Sequence, residues 1–157
     1  MITGKAKDCL YAVNGKLLQG SETVVFRGVS INSRTIKEGE LFVCIKGENF
    51  DGHDFIGDAF RKGAAGIILS DIKNLSTGML DKGESPFVIL SENTLRALQD
   101  LASYQRSLFP FQVIAVTGTN GKSTTKEMIA SIIETKYKTL KTQGTVSYTH
   151  LTLPTKA

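Results

Sequence analysis

Thr117-Gly118-Thr119-Asn120-Gly121-Lys122-Ser123-Thr124 is the stretch that decides how this chain is read. It lies between a short apolar run and an amphipathic helical segment, the context of a phosphate-gripping loop. Gly118 and Gly121 can adopt positive φ, so successive backbone N–H groups turn inward with no side chain in the way of phosphate oxygens. Lys122 brings an ammonium to the outer phosphates, and the Ser123 hydroxyl is suited to Mg²⁺. Thr124 is expected to open a helix whose N-terminal N–H groups and dipole favour an anion. ATP or GTP is the ligand to which this run points.

The flanks carry the same message. Gln112-Val113-Ile114-Ala115-Val116 is β-branched and apolar, as expected of a parallel strand buried on both faces. Downstream, Met128, Ile129, Ile132 and Ile133 share one helical face, with Lys126, Glu127 and Glu134 largely off it. The general pattern G-x-x-x-x-G-K-S/T would put glycine at Val116, so this loop is a variant with its first glycine two places later. An ordinary strand-to-helix glycine turn has no need of the Lys-Ser that follows here.

At this loop the chain resembles the ATP-dependent Mur ligase superfamily, which uses the shortened G-T-N-G-K-S/T form. The resemblance extends upstream through Gly28-Val29-Ser30-Ile31-Asn32-Ser33-Arg34, Gly39-Glu40-Leu41-Phe42-Val43, Lys46-Gly47-Glu48 and Asp51-Gly52-His53-Asp54-Phe55. These segments look like the first domain of such ligases, which holds the UDP end of the substrate. Downstream, Thr125-Lys126-Glu127-Met128-Ile129 and Leu140-Lys141-Thr142-Gln143-Gly144 are similar to the branch that adds D-alanyl-D-alanine to UDP-N-acetylmuramoyl-tripeptide. The resemblance departs at Asn32, where the family pattern has Asp before Ser-Arg; a charged acceptor is lost there.

For the intact parent the resemblance implies an ATP- and Mg²⁺-dependent amide ligation in peptidoglycan precursor synthesis, through an acyl phosphate, by a cytoplasmic monomer. It assigns Gly118, Thr119, Asn120, Gly121, Lys122, Ser123 and Thr124 to ATP, Lys122 to catalysis and Ser123 to the metal. Ser33, Arg34 and His53 are placed at the UDP end. From the residues alone, Arg34 offers a planar fork of donors suited to phosphate or carboxylate, or else a surface pairing with Glu38 or Glu40. His53 follows a turn dipeptide, and Asp54 is positioned to cap a helix.

The expected fold class is α/β. A small substrate domain over residues 1–90 precedes the truncated start of a P-loop ATPase domain with a parallel sheet over 91–145. Strands are expected at Thr23 to Ser30, Leu41 to Ile45, Gly66 to Leu69 and Phe87 to Leu90. Helices are expected from about Asp54 to Lys62 and from Thr94 to Ser107, the latter packing on the nucleotide-binding sheet. Asp71 to Ser85 reads as an irregular connection.

From Val146 the resemblance stops. The frame GTC TCT TAT ACA CAT CTG ACG CTG CCG ACG of a sequencing-library transposase adapter encodes Val146 to Thr155 in order, so 146–157 is expected to be a translated adapter artefact. A chain so truncated is expected to be inactive alone and to expose an unpaired sheet edge.

The 157 residues are 41% hydrophobic and 22% charged, enough to bury a core. No apolar run approaches the roughly 20 residues of a membrane span. Cys9 and Cys44 are isolated, without the spacing of a zinc or redox motif. The net charge of +4 comes from scattered lysines, and no basic-aromatic interleaving suggests nucleic acid. Other readings of the motifs are a diaminopimelate- or lysine-adding ligase, folylpolyglutamate synthase, a non-catalytic nucleotide-sugar or ATP-binding module, and a small P-loop kinase or GTPase. The last is disfavoured, because about a hundred residues precede the loop.

Overall fold

Apolar residues crowd into three short runs, Leu41–Val43, Gly66–Leu69 and Phe87–Leu90, and almost every side chain in them is fully buried. Such runs form the centre of a sheet covered on both faces. The computed structural model describes residues 3–75, 86–110 and 112–142. By contacts the chain forms two compact units, Met1–Phe111 and Gln112–Ala157.

The first unit opens with β1 (Thr3–Lys5), α1 (Ala6–Val13), β2 (Lys16–Gln19), β3 (Val25–Arg27) and β4 (Val29–Ser30). After β5 (Leu41–Val43), a 3-10 turn (Gly52–Phe55) leads into α2 (Ile56–Arg61), β6 (Gly66–Leu69), β7 (Phe87–Leu90) and α3 (Thr94–Ser107). Five strands form one sheet in the order β2-β7-β6-β5-β4. β4, β5, β6 and β7 are parallel neighbours, and β2 pairs antiparallel with β7. β1 and β3 form a separate antiparallel pair. The expected α/β class is therefore present in this unit, and the parallel strands, expected in the ATPase domain, are found here.

Alternation along the strands sorts the core into two layers. Leu41, Val43, Ile68, Phe87 and Ile89 pack with Ala6, Cys9 and Val13 of α1 and with Ala97 and Leu101 of α3. Phe42, Cys44, Ile67, Leu69 and Val88 pack on the other side with Ile36, Ile56 and Ala59. Helix α3, expected to pack on the following sheet, instead lies on this first one. Its Ala97–Leu101 spacing fits the apolar groove beside α1, and Asn93 caps it by accepting the Arg96 N–H at 2.9 Å.

Gly28, at φ 109°, divides the expected strand over 23–30 into β3 and β4. The helix expected from Asp54 starts as a 3-10 turn capped by Asp51, whose Oδ1 accepts the His53 N–H at 3.0 Å. Asp54 accepts from Asn74 Nδ2 at 2.9 Å rather than capping the helix. The irregular connection is seen up to Leu75, and 76–85 lie outside the described residues.

In the second unit, residues 112–116 form no strand among the described residues, contrary to expectation. A strand requires a ladder partner, and none of the described residues pairs with this run. Val113 and Ile114 are about 60% exposed. Helix α4 (Lys122–Glu134) follows, with Ala130 its buried residue and Met128 and Ile132 exposed. The expected adapter segment, 146–157, lies outside the described residues.

Candidate functional site

The loop before α4 has the geometry its composition demands. Gly118 stands at φ 151° and Gly121 at φ 75°, both positive. Gly121 is the N-cap of α4, and its carbonyl accepts the Thr125 N–H at 2.9 Å. A Cβ there would meet nothing within 4 Å, so the requirement for glycine is conformational rather than steric. Gly121 itself has no side chain with which to cap the helix. The first turn borders a cleft of about 250 Å³ lined by Thr119, Asn120, Gly121, Lys122, Ser123 and Thr124.

Lys122 opens α4, two residues earlier than the expected Thr124, and its ammonium arches over the loop to donate to the carbonyls of Gly118 and Thr119. A cation held beside a glycine loop at a helix N-terminus is an arrangement that can neutralise a polyphosphate. The donor set is compatible with Mg²⁺-nucleotide: the Ser123 hydroxyl would supply one protein oxygen, and Mg²⁺ usually takes few protein ligands. Among the described residues no cluster of three or more His, Cys, Asp or Glu side chains forms a separate metal centre. Farther along α4, Glu127 pairs with Lys141 at 2.7 Å, and that hydrogen bond, ahead of Lys126, holds its carboxyl below the usual range. Lys126 donates to the Thr142 carbonyl at 2.6 Å. Lys141 is thus tied to the helix.

In the first unit the candidate residues follow the C-terminal ends of parallel strands, where open α/β sheets bind ligands. Ser33 and Arg34 lie on the loop leaving β4. Asn32 Oδ1 accepts the Arg34 N–H at 2.9 Å, and the Asn32 carbonyl accepts from Thr35 and Ile36 at 3.3 and 3.1 Å. The amide oxygen thus makes the turn that a carboxylate would make, so the departure from Asp removes charge but keeps the fold. Ser33 is buried, whereas Arg34 is exposed. Among the described residues no carboxylate lies within salt-bridge distance of Arg34, so the pairing with Glu38 or Glu40 does not form. Glu40 instead accepts the Lys37 N–H at 2.9 Å.

His53 is 4% exposed and fully engaged. Its Nε2 accepts the backbone N–H of Ser70 at 3.0 Å and of Asp71 at 3.3 Å, and Nδ1 lies 2.5 Å from Asp51 Oδ1. An imidazole that accepts amide protons at Nε2 carries its own proton on Nδ1. No hydrogen bond joins it to Ser33 or Arg34 among the described residues. The ring fixes the end of β6 and offers no nitrogen to a ligand.

Two features escaped sequence reading. Lys62 Nζ donates to the Ser33 carbonyl at 2.7 Å and the Arg34 carbonyl at 2.8 Å, a contact across 29 and 28 residues with no local signal. A cleft of about 410 Å³ lies beyond the ends of β6 and β7, lined by Asn14, Gly15, Lys16, Ser70, Leu90, Ser91 and Glu92. Part of its wall comes from the unanticipated α1–β2 turn.

Comparison with known proteins converges on one family. The model of the Mur ligase family, catalytic domain, matches residues 25–107, and that of the Mur ligase middle domain matches 116–157. A UDP-N-acetylmuramoyl-tripeptide–D-alanyl-D-alanine ligase of Bacillus subtilis (strain 168) is 37% identical over 98% of this chain and 32% of its own length. A UDP-N-acetylmuramoyl-L-alanyl-D-glutamate–2,6-diaminopimelate ligase of Clostridium acetobutylicum is 33% identical over 92% of this chain and 29% of its own. The crystal structure of MurF from Acinetobacter baumannii superposes with a TM-score of 0.79 at 28% identity, covering 92% of this chain and 30% of that one. MurF ligase from Thermotoga maritima in complex with ADP gives 0.64 at 36% identity, covering 75% and 26%. The chain spans about a third or less of the length of these relatives.

Proposed function

Since the chain belongs to the Mur ligase family, we propose that it is the UDP- and ATP-gripping portion of a ligase that joins D-alanyl-D-alanine to UDP-N-acetylmuramoyl-tripeptide. The observation that carries this reading is the loop Gly118–Thr124, with its two positive-φ glycines, glycine N-cap and overarching Lys122. The solved ligase with bound ADP supports nucleotide as the loop's ligand. The D-alanyl-D-alanine-adding branch rests on the 37% identical Bacillus relative.

A carboxylate is a poor acyl donor because its oxygen is a poor leaving group. In the proposed reaction a carboxylate oxygen of the tripeptide attacks the γ-phosphorus of ATP, the bond to the β-phosphate oxygen breaks, and ADP leaves. The D-alanyl-D-alanine amine then attacks the acyl carbon, expels phosphate and loses a proton to form the amide. Phosphoryl transfer needs positioning and charge neutralisation above all. Lys122 supplies the charge, and the loop amides of Gly118 to Gly121 and the first turn of α4 through Thr124 supply orientation. Bound at Ser123, Mg²⁺ would spread the phosphate charge. The UDP end is assigned to the Ser33–Arg34 loop, with His53 contributing by fixing the end of β6.

Calorimetric titration of the chain with Mg²⁺-ATP and separately with UDP tests the two binding halves. Ligation is tested in a protein carrying this sequence over the full length of its relatives. Absence of nucleotide binding to the folded chain would overturn the reading. A diaminopimelate-adding ligase is the second reading, favoured by the 33% identical Clostridium relative. Competition between D-alanyl-D-alanine with the tripeptide precursor and diaminopimelate with the dipeptide precursor separates the two. For residues 146–157 we propose the adapter origin, on the ten-codon frame match and against a middle-domain match that runs through them; a long read of the source DNA across codons 140 to 160 tests it.

A further inference from the structure

We propose that Lys62 is a positioning residue: its ammonium, bonded to the carbonyls of Ser33 (2.7 Å) and Arg34 (2.8 Å), aims the Arg34 guanidinium at a substrate diphosphate. This rests on the reading of the Ser33–Arg34 loop as the grip on the UDP end.

The loop's other hydrogen bonds are local. Ser30 Oγ accepts the Asn32 N–H, Asn32 Oδ1 accepts the Arg34 N–H, and the Asn32 carbonyl accepts from Thr35 and Ile36. These bonds give the turn its internal shape but do not fix it to the rest of the unit. Two long-range ties do so. Ile36 inserts into the core beside Ile56 and Ala59, and Lys62 reaches over from the end of α2. Only the second grips the peptide groups of residues 33 and 34 themselves. With two carbonyls converging on one ammonium, the peptide plane between Ser33 and Arg34 cannot rotate without breaking a charge-assisted bond.

Arg34 is the side chain that this constraint leaves available. It is exposed, and among the described residues no carboxylate pairs with it. Its five donors therefore remain for an anion. Lys62 itself commits two of its three donors to these carbonyls, so it acts through Arg34 and needs no contact with the ligand.

The test is calorimetric titration of the whole 157-residue chain with UDP. Lys62→Met keeps the aliphatic stem and should weaken UDP binding about tenfold. Lys62→Arg, which keeps charge and donors, should bind within about threefold of the parent. In an Arg34→Gln background Lys62→Met should add less than about twofold, because its route of action is already gone. Equal losses in both backgrounds would show a merely structural role and overturn the proposal, as would unchanged affinity in Lys62→Met. Lys62→Gln, checked by circular dichroism, serves if Lys62→Met does not fold. Failure of the unsubstituted chain to bind UDP would instead refute the UDP reading, and this inference with it.

Discussion

Ser70 donates its backbone N–H to Nε2 of His53 at 3.0 Å, so the ring proton sits on Nδ1, 2.5 Å from Asp51. Asp51 also accepts the His53 backbone N–H, and this bond, ahead of the ring contact, holds its carboxyl below the usual range. Between the depressed native value and about 3.9 the unfolded chain binds more protons than the native one. Asp51 therefore contributes stability that is present above about pH 3.9 and is lost as pH falls through the native value. Urea unfolding of the chain between pH 3 and 7 should show a steep acid limb that Asp51→Asn flattens. Identical limbs in parent and variant would rule out this source of acid sensitivity.

Burial pushes the thiols of Cys9 and Cys44 up to about 12, with Asp8 and Asp51 adding to the effect in turn. Both side chains are fully buried in the core, one on each face of the sheet. The thiolate is the reactive form, so iodoacetamide at pH 8 should leave the native protein unmodified and alkylate both cysteines in urea. Linkage adds a second consequence. The native state retains thiol protons that the unfolded state releases above about 8.5, so this contribution to stability is lost as pH rises from there through about 12. Rapid native-state labelling of either cysteine would contradict the packing described for it.

Gly66 opens β6 directly against the ring of Phe87, and a Cβ at residue 66 would overlap that ring. Phe87 is itself fully buried, beside Phe26 at a centroid distance of 6.2 Å, so the ring has little room to withdraw. Gly66→Ala should destabilise the unit by about 1–3 kcal/mol, measured by chemical denaturation. Adding Phe87→Leu should make the alanine less costly than it is alone, a coupling a double-mutant cycle reads directly. Additive effects would mean that the clash is relieved elsewhere.

These cases also mark where the sequence was readable. β6, β7 and α3 were legible to the residue, because their signals are local: compact apolar runs and a periodic helix. The loop before α4 was legible because glycine, lysine and serine there have no bland use in combination. β1, α1 and β2 were missed. They are short, and β2 mixes Lys16 and Gln19 with two leucines because it lies at a sheet edge. The run 112–116 was read as a strand from composition, yet a strand exists only with a partner. The grip of Lys62 on the Ser33–Arg34 loop spans nearly thirty residues, and no periodicity or motif announces a contact of that range.

The loop carries the prediction on which the functional reading stands. Lys122 is the first residue of α4, its side chain half-covered, its ammonium lodged on the Gly118 and Thr119 carbonyls. Replacing it with alanine removes the cation but not the helix, since alanine is the better helix former at that position. The helical signal of the Lys122→Ala chain should therefore match the parent, which separates charge loss from unfolding. Affinity for Mg²⁺-ATP should fall at least about tenfold, because a charge-assisted contact to phosphate is lost. Lys122→Arg should recover part of that affinity, limited by the fit of a planar guanidinium to a site shaped for a compact ammonium. An alanine variant that keeps both its helix and its full ATP affinity would show that the loop does not grip phosphate, and the ligase reading would lose its foundation.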